Sequence, residues 1–405
     1  MKCGLLGRHL RHSYSPQIHK MLGDYSYTLF EVEPEDLQSF LNSNDFDGLN
    51  VTIPYKKDVI PYCSKLSPQA EALGAVNTIV RNANGQLIGH NTDYFGFASL
   101  LKANGISVSD KKVLLLGSGG ASATCKAVLN NENAHVVVIS RSGENNYSNL
   151  HMHSDASLII NTTPVGMYPE NGRSPIDISV FPHLEGVIDL IYNPSRTQLL
   201  LDAESRGIKA VNGLWMLVAQ AKESAQWFTD KDIPDSVIPE IHTTLQKQMN
   251  NIILIGMPGC GKSTIGALLA QKSNREFVDT DALIVKKAGK SIPEIFAESG
   301  ERGFRDIETQ VLTEVCKHSN LVIATGGGCV TRPENYNLLH QNGQIVWIKR
   351  NIAALPTNGR PLSQNHSLEE MYQLRAPLYR SFADTQIENH TSLDDAVNQI
   401  IGGVL

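Results

Sequence analysis

The sequence predicts an α/β chain built from more than one unit, two of them opening on glycine-rich nucleotide loops. Three observations carry this. The 405 residues exceed what one hydrophobic core usually fills. A short apolar strand runs into a glycine turn and a helix twice, at Val113-Leu-Leu-Leu-Gly-Ser-Gly-Gly-Ala121 and at Ile252-Ile-Leu-Ile-Gly-Met-Pro-Gly-Cys-Gly-Lys-Ser-Thr264. Between them, the stretch from Trp227 to Asn250 holds two prolines, many polar residues and no long apolar periodicity, as a domain boundary does. The seam is expected near Gln248, dividing residues 1–247 from 248–405.

The bulk properties exclude several function classes. A formal charge of −6 argues against a general electrostatic grip on nucleic acid or an anionic membrane, while local basic pockets for small anions stay open. The N-terminus reaches charged residues too early for a signal peptide, and no later apolar run approaches membrane-spanning length. A cytoplasmic setting is therefore expected. Cys3, Cys63, Cys125, Cys260, Cys316 and Cys329 show no C-x-x-C or zinc-ligand spacing, which suits reduced, structural thiols.

In the first loop, Ala121 to Leu129 offers a helix directly after the strand, so Gly117 and Gly119 fall at the strand-to-helix turn. Glycine there permits a sharp turn and close backbone approach to a pyrophosphate, whose charge the helix N-terminus favours. A Rossmann domain over residues 98–212 follows, with Gly117, Ser118, Gly119, Gly120 and Ala121 as cofactor contacts. The next strand, His135-Val-Val-Val-Ile-Ser140, ends at Ser140-Arg141-Ser142, where an NAD-binding domain carries a carboxylate for the ribose. A guanidinium flanked by hydroxyls pairs instead with a 2′-phosphate, so NADP(H) is the expected cofactor.

Around this loop lie His12-Ser-Tyr-Ser-Pro-Gln-Ile-His19, Gly48-Leu-Asn-Val-Thr-Ile-Pro-Tyr-Lys56, Gly74-Ala-Val-Asn-Thr78 and Gly89-His-Asn-Thr-Asp-Tyr-Phe-Gly-Phe97. Asn161-Thr-Thr-Pro-Val-Gly-Met167, Asp189-Leu-Ile-Tyr-Asn-Pro194 and Asn212-Gly-Leu-Trp-Met-Leu-Val-Ala-Gln220 follow. In this order the segments resemble the shikimate dehydrogenase family over residues 1–230. The resemblance implies a substrate-binding α/β domain of residues 1–97 plus 213–230, in which Ser13, Ser15, Thr52, Asn77, Asp93, Tyr192 and Gln220 bind 3-dehydroshikimate. It also implies Lys56 and Asp93 at the reacting oxygen, and Leu190 and Gly213 beside the cofactor. Reduction of a ketone needs such a pair, because negative charge develops on oxygen and a positioned ammonium stabilises and protonates it. The competing expectations are a solvated Lys56-Lys57 pair, a helix cap at Thr92 or Asp93, and turn hydroxyls at Ser13 and Ser15 beside Pro16.

The second loop fits G-x-x-x-x-G-K-S in full, between a strand and a helix. Its Gly259, Cys260, Gly261, Lys262, Ser263 and Thr264 are expected to bind ATP, Lys262 placing positive charge on the transferring group and Ser263 ligating Mg2+. Downstream stand Val278-Asp-Thr-Asp281, Gly300-Glu-Arg-Gly-Phe-Arg305-Asp-Ile-Glu308, Thr325-Gly-Gly-Gly328, Arg360-Pro-Leu362 and Arg375-Ala-Pro-Leu-Tyr-Arg-Ser-Phe-Ala-Asp384. From about Asn250 onward these resemble shikimate kinases, implying a P-loop domain like that of nucleoside monophosphate kinases. By that resemblance Asp281 orients the attacking hydroxyl, Arg305 and Arg375 hold the carboxylate, Gly327 and Gly328 supply backbone contacts, Asp279 sits by the metal, and Arg360 lies in a lid over ATP. The segment Ile348-Lys-Arg-Asn-Ile-Ala-Ala-Leu-Pro-Thr-Asn-Gly359 is shorter than the family usually shows, with no clear counterpart of the basic residue that packs on adenine. Arg305 and Glu308 could alternatively form only a surface ion pair, and the glycines a flexible turn. Cys260, inside the loop, is expected to be moderately sensitive to alkylation.

Together the resemblances imply consecutive reactions: NADPH-dependent reduction of 3-dehydroshikimate to shikimate, then phosphorylation of shikimate to shikimate 3-phosphate with Mg-ATP. Partners are these small molecules and ATP, without nucleic acid or membrane; the oligomeric state is not assigned. A quinate-type dehydrogenase joined to the kinase is one rival. A non-catalytic metabolite-binding regulator is another, and it would show degraded catalytic positions or an added basic DNA-reading segment. Lys56, Asp93, Lys262, Ser263, Asp281 and Arg305 are all present instead.

Overall fold

The computed structural model describes residues 1–10, 13–355, 368–390 and 392–404. They form two compact units. The first comprises Met1–Val165, Ser174–Tyr192 and Asp202–Thr244, and the second Gly166–Arg173, Asn193–Leu201 and Leu245–Leu405.

The first unit holds two sheets. Strands β1 (Lys2–Gly7), β2 (Ser26–Glu31), β3 (Gly48–Val51), β4 (Cys63–Leu66), β5 (Thr78–Arg81) and β6 (Leu87–His90) form a mixed sheet in the order β2-β1-β3-β5-β6-β4. β1 runs parallel to β2 and β3, and β5 is antiparallel to both β3 and β6. Leu6, Leu49, Val51 and Ile79 of this sheet are buried with Leu41, Phe46, Tyr55 and Val76 in one core. The helix Pro68–Leu73 is fixed at both ends: Ser67 Oγ accepts from the Ala70 amide, and Gly74 closes it in the left-handed region.

The second sheet is fully parallel, in the order β11-β10-β9-β7-β8, from β7 (Lys112–Leu116), β8 (His135–Ile139), β9 (Leu158–Asn161), β10 (Gly186–Asp189) and β11 (Lys209–Asn212). Val113 to Leu116 are buried throughout, as strands covered on both faces require. The order reverses around β7, so the crevice beyond its C-terminal end is the ligand position of an open α/β sheet.

The second unit has one parallel sheet, β13-β14-β12-β15-β16, from β12 (Asn251–Ile255), β13 (Glu276–Asp279), β14 (Leu321–Ala324), β15 (Gly343–Lys349) and β16 (Thr385–Glu388). β12 is central and fully buried, and it delivers the second glycine loop.

One expectation changes. The polar stretch before Gln248 contains a helix, Val237–Met249, in which Ile238, Ile241, Leu245 and Met249 are buried. Their spacing of three and four residues makes one narrow apolar stripe, easily lost among the prolines and polar residues. No helix among the described residues is long and apolar enough to cross a membrane.

Candidate active sites

In the first unit, β3 leads into the turn that carries Lys56. The Thr52 amide donates to Leu6 O, Tyr55 N–H returns to Thr52 O, and the Lys56 carbonyl accepts from Val76 N–H at 2.7 Å. Tyr55 is fully buried and its hydroxyl donates to Val32 O. The backbone beneath Lys56 is thus held on three sides. Asp93 opens the helix Asp93–Ala103, and its Oδ2 lies 2.5 Å from Lys56 Nζ. Neither half of that pair is the solvated charge or cap that the residues alone allow. Thr92 makes no side-chain capping bond, and the Asp93 carboxylate is spent on Lys56.

Under the pair lies a buried polar network. Asn77 Oδ1 accepts from Thr92 N–H at 2.7 Å, and Thr92 Oγ1, Thr78 Oγ1 and Asn50 Nδ2 all reach Ser224 Oγ at 2.8–2.9 Å. Ser224 passes its own proton to Gln220 O. The helix Leu214–Thr229 is therefore tied to β3, β5 and the residue before Asp93.

These elements surround a cavity of about 270 Å³ lined by Ser13, Ser15, Thr52, Lys56, Asn77, Asp93, Leu190, Tyr192, Gly213 and Gln220. Every residue expected at the substrate end stands in its wall. Ser13 and Ser15 also make the turn bond expected of them, Ser15 N–H to Ser13 Oγ, while still facing the cavity. Burial raises the Tyr192 phenol, with Tyr14 packed edge-on at 6.1 Å adding to it. His12 lies outside the described residues. Asn50, Met216 and Leu217 line the same cavity and were not singled out from the sequence. For Asn50 there was a signal: an amide in the middle of an otherwise apolar strand, where a buried polar group needs partners.

The dinucleotide loop, Gly117 to Ala121, lies at the end of β7, outside this cavity. Gly117 has φ +108, and a side chain there would meet Thr162 Oγ1 at 2.7 Å. At Gly119 and Gly120 an added Cβ would meet nothing within 4 Å, so open space faces the N-terminus of the helix Gly120–Asn131. That cradle suits a pyrophosphate. Arg141 and Ser142 are exposed beyond β8, Arg141 without a hydrogen bond or ion pair among the described residues, and Ser140 N–H bonds to Asn145 O.

In the second unit, β12 runs into the loop Gly256–Gly261 and the helix Lys262–Ser273. Lys262, almost fully buried, donates to Gly256 O at 2.9 Å and Met257 O at 3.0 Å. Ser263 Oγ donates to Asp279 Oδ2 at 2.6 Å, and Asp279 Oδ1 caps the next helix at the Asp281 amide. Among the described residues no three His, Cys, Asp or Glu could hold a metal ion. Ser263 and Asp279 still stand side by side, an oxygen pair of the kind magnesium takes together with phosphate and water.

A cavity of about 610 Å³ collects Gly259, Gly261, Lys262, Ser263, Thr264, Asp279, Asp281, Arg305, Gly327, Gly328 and Arg375. Arg305 and Glu308 do pair, at 2.7 Å, but their side chains are only 6% and 0% exposed, so this is no surface pair. Arg305 Nε and Glu308 Oε1 lack hydrogen-bond partners, leaving polar capacity at the wall. The glycines are close-packed rather than loose: a Cβ on Gly328 would drive into the Arg305 guanidinium, and one on Gly327 would meet Pro258 at 2.7 Å. Arg375 Nη1 and the Tyr379 hydroxyl both donate to Gly327 O. Glu308, Thr325, Phe296 and Phe304 are wall or supporting residues that the motifs did not single out.

Two expectations fare differently. The Cys260 thiol is fully buried and outside the cavity wall, so a reagent cannot reach it in the folded chain, and the expected alkylation sensitivity is withdrawn. Arg360 lies outside the described residues.

Both halves of the chain are similar to known proteins. The shikimate dehydrogenase substrate-binding domain profile matches residues 5–79, and the shikimate kinase profile matches residues 258–404. Shikimate dehydrogenase (NADP(+)) from Dehalococcoides mccartyi is 38% identical over 262 residues, 57% of this chain and 91% of that protein. A chorismate mutase/shikimate 5-dehydrogenase fusion from Clostridium acetobutylicum superposes with a TM-score of 0.58 at 36% identity, covering 61% of this chain and 97% of that one. Shikimate 5-dehydrogenase from Thermus thermophilus, in complex with NADP(H) and shikimate, gives 0.56 at 29% identity, covering 60% and 99%.

Proposed function

The chain is a bifunctional shikimate-pathway enzyme that belongs to the shikimate dehydrogenase family and carries a shikimate kinase segment, and from that premise we propose that it reduces 3-dehydroshikimate to shikimate and then phosphorylates shikimate to shikimate 3-phosphate. We assign the reductase to residues 1–247 and the kinase to 248–405.

The reductase reading rests on the Lys56–Asp93 pair in the wall of a polar cavity. Ser13, Ser15, Thr52, Asn77, Tyr192 and Gln220 offer the hydroxyls and amides that bind a ring carboxylate and hydroxyls. Lys56 stabilises the charge that develops on the ketone oxygen and gives it a proton, and Asp93 holds the ammonium in place. NADPH, when bound, supplies the hydride. The open cradle at Gly119 and Gly120 fits its pyrophosphate, and unpaired Arg141 with Ser140 and Ser142 fits its 2′-phosphate.

The kinase reading rests on one cavity that joins a phosphate loop to Asp281, Arg305 and Arg375. Arg305 and Arg375 hold the acceptor's carboxylate, Asp281 orients its hydroxyl, and loop amides with Lys262 hold the phosphates of ATP. Ser263 and Asp279 would hold the accompanying magnesium, which neutralises phosphate charge when bound. Six free cysteines fit a reducing compartment, and we place the enzyme in the cytoplasm.

The test is direct. Purified protein receives 3-dehydroshikimate, NADPH and Mg-ATP, and NADPH loss, ADP formation and product mass are followed. Absence of shikimate sinks the reductase reading; shikimate without its 3-phosphate sinks the kinase reading.

A further inference from the structure

The shortened segment after β15 leaves the nucleoside end of ATP without its usual basic partner. Arg350, the first residue after that strand, stands where such a partner is needed. Its side chain lines the phosphate-loop cavity and also a second cavity of about 460 Å³, whose other walls are Asn351, Ala354, Asn389, His390 and Leu393. Its Nη1 donates to Gly259 O at 3.4 Å, a long bond to the rim of the phosphate loop, and it has no ion pair among the described residues. The second cavity has no carboxylate in its wall. A cation there keeps its charge and its planar face for a ligand.

The two asparagines are each half used. Asn389 Nδ2 donates to Cys260 O at 2.8 Å, which ties the cavity to the phosphate loop, while its Oδ1 has no hydrogen bond among the described residues. Asn351 Oδ1 accepts from the Ala353 amide at 3.0 Å, while its Nδ2 has none. An unpaired acceptor and an unpaired donor therefore border one cavity, beside an apolar Leu393 and a guanidinium plane. A purine base has a flat face for the guanidinium, and the adenine edge combines an amino donor with a ring-nitrogen acceptor.

We propose that Arg350 grips the base of ATP and that Asn351 and Asn389 read its edge, so that this strand-end cluster sets nucleotide selectivity in the kinase. The proposal rests on the kinase reading above. Arg350 acts on the nucleoside, and the phosphate loop on the phosphates.

The experiment uses the full chain. Arg350→Ala is expected to raise KM for ATP and Kd for ADP about tenfold, a change worth about 1.4 kcal/mol. Inhibition by inorganic tripolyphosphate, which has no base, and kcat at saturating ATP stay within about twofold of wild type. Arg350→Lys, which keeps charge but not the plane, falls between. Asn351→Asp keeps the acceptor that caps Ala353 and removes the free donor; it is expected to move the ATP-over-GTP preference toward GTP. Equal losses for ADP and tripolyphosphate would make Arg350 a phosphate ligand and overturn the proposal, as would no loss for either. A wild-type chain that binds ADP and phosphorylates shikimate keeps the kinase reading standing whatever the variants do; a wild type that does neither removes both.

Discussion

Ser224 Oγ, on the helix that backs the reductase cavity, lies 2.8 Å from Asn50 Nδ2 on β3, and neither side chain is more than 5% exposed. Through the same oxygen Ser224 reaches Thr78 and Thr92, the latter adjacent to Asp93. One hydroxyl thus underlies both sides of the cavity. Ser224→Ala leaves several buried groups short of a partner and is expected to cost about 1–3 kcal/mol. Chemical denaturation should show it in the first unit's transition, together with a raised KM for 3-dehydroshikimate.

Lys56 carries the proton in the reductase reading. Lys56→Ala should lower reductase kcat about 10²- to 10⁴-fold, with kinase activity retained. Lys262→Ala should do the reverse. Separate coupled assays of NADPH oxidation and ADP release check both, and loss of both activities from either change would count against independent sites.

Gly328→Ala places a methyl group against the Arg305 guanidinium. A displaced Arg305 loses its line to the acceptor, so the KM for shikimate should rise at least about tenfold, or about 1.4 kcal/mol. KM for ATP serves as the internal control and should change little.

Removing Glu308 leaves Arg305 as a buried, half-paired charge. Glu308→Ala is expected to destabilise the second unit by roughly 3–5 kcal/mol, seen as a lower denaturant midpoint for that unit. Its kinase activity should fall with the lost orientation of Arg305.

Burial pushes the His19 imidazole down to about 3, against a smaller opposing effect of Asn50, and the His90 imidazole down to about 4. Their unfolded values lie near 6.5, so below that pH the unfolded chain binds protons that the folded one refuses. The stability both residues contribute is present above about pH 6.5 and is lost as pH falls toward their folded values. The first unit's Tm should drop from pH 7 to pH 4, and His90→Gln should flatten that slope.

Sequence reading went furthest where chemistry depends on the backbone itself. The loops at Gly117–Ala121 and Gly256–Ser263 were legible because glycines at fixed offsets between an apolar strand and a helix leave few conformations open. Lys56, Asp93, Asp281, Arg305 and Arg375 were legible only as members of ordered motifs. Ser224, Thr78 and Phe304 had no such signal, since a serine two turns inside a helix reads like any other until a strand is laid against it. The helix Val237–Met249 was missed because four apolar residues among thirteen make a weak stripe.

By itself, the sequence determined the three sheet-forming segments, the two phosphate loops and the identities of the residues that do chemistry, because strand, turn and helix propensities are local. Only the tertiary structure decided which of two roles each polar residue takes. Asp93 is a partner of Lys56 instead of a cap, Arg305 and Glu308 are buried instead of solvated, Cys260 is sealed, and Arg350 faces two cavities at once. The physical reason is the same in each case: burial and pairing are set by groups far away in the chain, and a side chain's charge, proton and reach depend on which of those groups arrives beside it.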